Sequence, residues 1–143
     1  VSGDAGVMDA FKALVVQAGG RYMPLKVSGG FHSPFMATAF EAFIQELEGY
    51  ELKAPGIPVY ANVTAQPYAG DLKRLLAEQI ISPVWWQKTV ENMIMNGADT
   101  FVEAGPGKVL SGLVKRISGD VRVLNVEDNE SLDKTTGEVP PDA

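Results

Sequence analysis

The chain has 143 residues, 45% of them hydrophobic, with a formal net charge of −6, one histidine and no cysteine. That length suits one domain with a real core, and the composition excludes a disordered or fibrous protein in favour of a soluble globular one. Without cysteine there is no thiolate nucleophile, disulfide or iron–sulfur cluster, and a single histidine rules out a site built from several imidazoles, so no metal site is expected.

In chain order, Val7, Phe11, Leu14, Val15 and Ala18 fall at helical spacing, and Gly19–Gly20 stops that helix. Residues 22–27 read as an extended edge segment containing Pro24. A Gly-rich turn over residues 28–34 follows, in which Ser33 and Pro34 form an N-cap and first-turn pair. The next helix presents Met36, Phe40, Phe43, Ile44 and Leu47 on one face and ends at Gly49. Residues 57–63 are apolar nearly throughout and predict a buried parallel strand. Residues 71–81 read as helical, and Pro83 separates them from a helix near Trp86, Val90, Met93 and Ile94 that stops at Asn96–Gly97. Two further strands are expected, over residues 100–104 and 121–126. Between them the turn Gly105-Pro106-Gly107-Lys108 feeds a helix with Val109, Leu110, Leu113, Val114 and Ile117 on its apolar side. Strands alternating with helices argue for an α/β layer fold with parallel strands.

The charge is uneven. Residues 127–143 hold six acids against Lys134 alone, leaving 12 acids and 11 bases in the preceding 126 residues. The end of the chain is therefore an acidic tail, its last part expected to be disordered. No basic stripe with interleaved aromatics appears, so no nucleic-acid partner is expected. No apolar run is long enough to cross a bilayer, so no membrane association is expected either. The first ten residues lack the pattern of a signal peptide and an initiator Met, which points to a start inside a longer sequence. The absence of cysteine fits a reducing compartment, and a cytoplasmic location is the expectation.

Several motifs fail on inspection. The turn at residues 105–108 is not a phosphate loop, because Val102 and Val109 stand where glycine and a hydroxyl residue are needed. No serine sits in a Gly-x-Ser-x-Gly elbow, and Glu103 alone on a strand is not an acid–base pair. His32 is different: it lies in a Gly-rich turn before a capped helix, and histidine takes and gives protons near neutrality.

Residues 27–36 (VSGGFHSPFM) resemble the active-site histidine segment of malonyl-CoA:acyl carrier protein transacylases. Residues 57–64 (IPVYANVT), 79–86 (QIISPVWW) and 101–110 (FVEAGPGKVL) continue the family's landmarks in order, so the resemblance runs from the first helix to about Val126. It implies an α/β-hydrolase-like acyltransferase core with parallel strands over residues 28–126. Before it, residues 1–27 would be the end of a small ferredoxin-like subdomain, and residues 127–143 would follow as the tail. The family's nucleophilic serine, its carboxylate-binding arginine and its oxyanion-hole glutamine have no counterpart here. Arg21, Arg74, Arg116 and Arg122 do not match the arginine's context. The resemblance thus implies the C-terminal half of an enzyme of fatty-acid synthesis, inactive alone and partnered by its missing N-terminal half. The complete enzyme would move malonyl from malonyl-CoA, through serine, to the phosphopantetheine thiol of acyl carrier protein. Coenzyme A enters as a thioester substrate, and no covalently bound cofactor is implied.

By the same resemblance His32 is the general base and acid, and Gln79 orients it through a backbone carbonyl. Phe31 and Asn62 belong to the substrate pocket, Phe31 accompanying malonyl over branched substrates. Lys108, Lys115 and Arg116 form a local basic group, offered as a docking surface for the carrier protein. Two rivals stand beside this reading: an acyltransferase domain of a polyketide synthase, and a non-catalytic docking module that has lost the serine.

Overall fold

The computed structural model describes residues 1–139, which fall into two compact units divided between Trp85 and Trp86. That boundary differs from those drawn in the sequence at residues 27 and 126.

In the first unit, α1 (Met8–Gln17) follows a single 3-10 turn capped by Asp4. It ends where Gly19 adopts φ 73°, a left-handed conformation that glycine tolerates without a steric penalty. The segment after it is not the expected strand. Residues 22–27 are irregular, and Tyr22 is held by an edge-on contact with Phe11, ring centroids 6.2 Å apart. Pro24 has no N–H to offer, and no described strand lies alongside to accept a ladder. Ser33 then opens a 3-10 turn, Pro34–Met36, by accepting the N–H of Phe35, and α2 (Ala37–Leu47) continues from it. The helix α3 (Leu72–Glu78) starts at Asp71, whose carboxylate accepts the N–H of Arg74 at 3.0 Å. α2 packs on α3, with Leu47 and Ala77 buried.

Residues 57–63 also depart from expectation. Only β1 (Tyr60–Ala61) is paired, and its partner is β2 (Gln66–Pro67), antiparallel, with Ala61 opposite Gln66. A buried parallel strand needs parallel neighbours, and among the described residues this segment has only the short antiparallel β2. Ile57 is accordingly 75% exposed. The tight connection is closed by Ala65 at φ 56°, whose N–H reaches Ala61 O at 2.8 Å.

The second unit is an α/β layer, as the alternating pattern predicted. β3 (Thr100–Ala104) and β4 (Arg122–Val126) pair in parallel, Thr100 opposite Arg122 and Ala104 opposite Val126, joined through α5 (Val109–Ile117). α5 packs on both strands, and α4 (Trp86–Met95) packs on α5 around buried Val90 and Val114. The acidic segment is not all tail: α6 (Asn129–Glu138) packs on β4. Its start is a capping box. Asp128 Oδ1 accepts the Ser131 N–H at 2.8 Å, and Ser131 Oγ accepts the Asp128 N–H at 3.0 Å. Arg122 Nη1 donates to the Glu138 carbonyl at 3.0 Å and ties down the other end. The expected disorder at Pro140–Pro141 lies outside the described residues.

Among the described residues no helix is long and apolar enough to cross a membrane.

Candidate active site

His32 occupies an unusual backbone position. Its φ is 58°, in the left-handed region where a residue with a Cβ is strained by about 1–2 kcal/mol. Three bonds hold the turn around it. Ser33 Oγ donates to the Gly30 carbonyl at 2.5 Å, the same Oγ accepts the Phe35 N–H at 3.3 Å, and Ser2 Oγ donates to the Phe31 carbonyl at 2.7 Å. Gly30 is needed for space: a Cβ there would lie 3.2 Å from both Phe35 Cβ and Ser33 Oγ.

The imidazole is exposed and reaches across 47 residues to the Gln79 carbonyl, with Nδ1 2.9 Å from the oxygen. A carbonyl oxygen only accepts, so Nδ1 carries the hydrogen and, in the neutral ring, Nε2 presents its lone pair. Gln79 is the C-cap of α3, where helix carbonyls lack intrahelical partners, so the histidine satisfies one of these acceptors.

The Gln79 side chain is tied at both ends. Its Oε1 accepts the backbone N–H of Asn62 at 3.2 Å and Asn62 Nδ2 at 3.0 Å, and its Nε2 donates to the Tyr68 hydroxyl. Asn62 is fixed in turn, its carbonyl accepting the Trp85 N–H at 3.1 Å. Burial pushes the Tyr68 phenol above its ordinary value, against the opposing effect of the Gln79 hydrogen bond, so it is a neutral hydroxyl at neutral pH.

The structure therefore brings His32, Gln79 and Asn62 together. Asn62 touches the Gln79 side chain rather than the imidazole. Phe31 adjoins His32 in the turn with its side chain partly in solvent. Tyr68 belongs to this cluster and was missed in the sequence, because no spacing or motif marks residue 68 as a neighbour of residue 79.

The basic residues named in the sequence are spread along the second unit. Lys108 precedes α5, and its Nζ lies 3.7 Å from Glu127 Oε1. Lys115 and Arg116 are in the last turn of the same helix, roughly 10 Å further along at 1.5 Å per residue.

The turn at residues 105–108 also fails as a phosphate cradle on structural grounds. The N–H groups opening α5 are already used: Glu103 accepts Leu110 N–H at 3.0 Å and Ser111 N–H at 2.7 Å, and Glu127 accepts Gly107 N–H at 3.0 Å. Hydrogen bonding from Ser111, joined by the N–H groups of Leu110 and Val109, holds the Glu103 carboxyl below its ordinary range against the opposing effect of burial. Glu103 is a helix cap donated by the neighbouring strand. Among the described residues no group of three or more acidic or histidine side chains is placed to hold a metal ion.

No protein-family model matches the chain. Curated proteins and solved structures do. The chain is 38% identical, over 136 residues, to the malonyl CoA-acyl carrier protein transacylase of Bacillus subtilis, covering 93% of this chain and 43% of that protein. The crystal structure of the transacylase of the same name from Clostridium perfringens superposes with a TM-score of 0.88 at 38% identity, covering 92% of this chain and 42% of that one. A solved complex of a type II polyketide synthase acyl-carrier protein with its malonyl-transacylase matches with a TM-score of 0.90 at 31% identity, covering 96% of this chain and 45% of that one. The chain thus spans less than half the length of the proteins it matches, and over that span it has their fold.

Proposed function

From the premise that this chain is a homologue of malonyl-CoA:acyl carrier protein transacylases over about 43% of their length, we propose that it is the C-terminal, histidine-bearing part of such an enzyme. The observation that carries the reading is the bond between His32 Nδ1 and the Gln79 carbonyl, which leaves Nε2 as a base. A serine hydroxyl is a poor nucleophile at neutral pH and needs such a partner. In the complete enzyme, a serine outside this chain attacks the malonyl thioester of coenzyme A while Nε2 takes its proton. Nε2–H then protonates the departing thiolate. The malonyl-serine passes its acyl group to the phosphopantetheine thiol of acyl carrier protein by the same exchange in reverse.

Phe31, beside the histidine, crowds a substituent on the malonyl C2; one such contact discriminates by about 1–3 kcal/mol. Asn62 serves the pocket indirectly, by fixing Gln79. Lys115 and Arg116 offer exposed positive charge to an acidic carrier protein, whereas the charge of Lys108 is shared with Glu127. Large apolar side chains left in solvent, among them Leu14 at 63%, Leu25 at 81% and Phe35 at 63%, support a further part of the enzyme covering these faces.

The test is malonyl transfer from labelled malonyl-CoA to acyl carrier protein, with this chain alone and with a serine-bearing N-terminal part supplied in trans. The chain alone is expected to be inactive, and the reconstituted pair active. His32→Ala should lower the reconstituted rate by about 100- to 10,000-fold, the usual contribution of a positioned general base. Transfer by the isolated chain would overturn the assignment. The match to a malonyl-transacylase solved with a type II polyketide synthase carrier protein favours a second reading, in which the same chemistry supplies a polyketide carrier. Relative rates with fatty-acid and polyketide carrier proteins separate the two.

A further inference from the structure

We propose that Tyr68 is a positioning residue for His32, acting through the side chain of Gln79; the inference rests on His32 being the proton-transfer group. Gln79 holds the imidazole only through its backbone carbonyl, so the direction of that peptide decides where the ring points. The peptide lies at the C-terminal end of α3, a seven-residue helix, and helix ends fray. What restrains it is the side chain, pinned by Asn62 on one side and Tyr68 on the other.

The orientation of that amide is not arbitrary. One of the two donors on Oε1 is the Asn62 backbone N–H, which cannot accept, so the oxygen end must face Asn62 and the nitrogen end must face Tyr68. The Tyr68 oxygen is then the acceptor for Nε2. Tyr68 is itself placed by the hairpin: it follows β2, its N–H donates to the Val59 carbonyl at 2.8 Å, and its ring lines a cleft with Val59, Leu72 and Leu76. Removing the hydroxyl leaves a half-buried amide donor without its partner, and Gln79 must turn to satisfy it. The carbonyl facing Nδ1 turns with it, and the imidazole loses the one bond that selects its tautomer.

The chain contains a single histidine, so its two ring nitrogens can be read without ambiguity by nitrogen NMR of the full chain labelled at histidine, above the pH of imidazole protonation. The wild type is expected in the Nδ1–H form. Tyr68→Phe should transfer at least half of that population to Nε2–H, the form a free imidazole prefers. Gln79→Leu, which keeps the backbone carbonyl but loses both ties, should do the same, and the double variant should add little to either. Gln79→Glu should restore the Nδ1–H form, because the carboxylate still accepts from Asn62 and the Tyr68 hydroxyl can donate to it. Tyr50→Phe, removing a hydroxyl 3.4 Å from Glu46 on α2, should change nothing.

An unchanged tautomer in Tyr68→Phe or in Gln79→Leu overturns the proposal, and the second variant decides if the first fails to fold. A wild type already in the Nε2–H form contradicts the general-base geometry of His32 itself, a failure distinct from that of Tyr68.

Discussion

The left-handed backbone at His32 makes a prediction about stability whose sign is opposite to the usual rule. Consider His32→Ala and His32→Gly. Both remove the imidazole and its bond to the Gln79 carbonyl, a net loss of about 1 kcal/mol, so the variants differ only by a Cβ. At an ordinary position alanine is the more stable by about 0.4–1 kcal/mol, because glycine has more freedom to lose from the unfolded chain. At φ 58° the Cβ instead meets the steric penalty of the left-handed region, about 1–2 kcal/mol, which glycine escapes. The balance favours glycine by about 0.5–1 kcal/mol. His32→Gly should therefore sit close to the wild type and His32→Ala about 1 kcal/mol below it. Urea unfolding followed by circular dichroism resolves this as a midpoint difference of a few tenths of a molar, given slopes of about 1–3 kcal/mol per molar. An alanine variant as stable as the glycine variant would refute the strain argument.

Three other expectations follow from the packing and the capping carboxylates. Val90→Ala, at a side chain 1% exposed, removes two buried methyl groups and should cost about 2 kcal/mol in the same unfolding assay. Gly30→Ala forces a Cβ against Phe35 and Ser33 and should cost about 1–3 kcal/mol while broadening the His32 resonances. Glu103 and Asp128 both titrate below their ordinary ranges, chiefly through hydrogen bonds from Ser111 and Ser131 respectively. A carboxylate depressed in the folded state contributes stability that is full above its unfolded pKa, near 4, and is lost as pH falls through the depressed value. Acid unfolding should therefore begin below about pH 4, and Glu103→Gln with Asp128→Asn should flatten that limb. An unchanged acid limb in the double variant would show that other groups set it.

Much of this architecture is legible where local chemistry decides it. Gly19–Gly20, Ser33–Pro34 and Asn96–Gly97 mark helix ends because capping depends on neighbouring residues alone. The parallel pair β3 and β4 is legible because an apolar strand, a helix and a second strand in succession have few other solutions. Residues 22–27 and 57–63 misled for the converse reason: extended propensity forms a strand only if a partner edge exists, and that is decided far away in the chain. α6 was obscured by its polarity, although Asp128 three residues before Ser131 is a cap signal that could have found it. At the site, the pairing of His32 with Gln79 was readable only through family resemblance, since 47 residues separate them. Tyr68 had no signal of either kind.

The choice of a backbone carbonyl as the histidine's partner explains why so much surrounds it. A carboxylate would hold the ring through a charge-assisted bond roughly twice as strong as a neutral one. A carbonyl contributes only about 1 kcal/mol, comparable to or less than the backbone strain at His32, so that bond cannot by itself keep the residue in place. The remainder must come from the neighbours. Ser33 closes the turn from one side onto Gly30 and Phe35, Ser2 holds the Phe31 carbonyl, and Asn62 with Tyr68 fixes Gln79 from the other. Every one of these residues lies in the first unit. The proton-transfer group of the proposed enzyme is thus oriented by residues other than the nucleophile it would serve, and weakening any single tie should loosen the imidazole before it unfolds the unit.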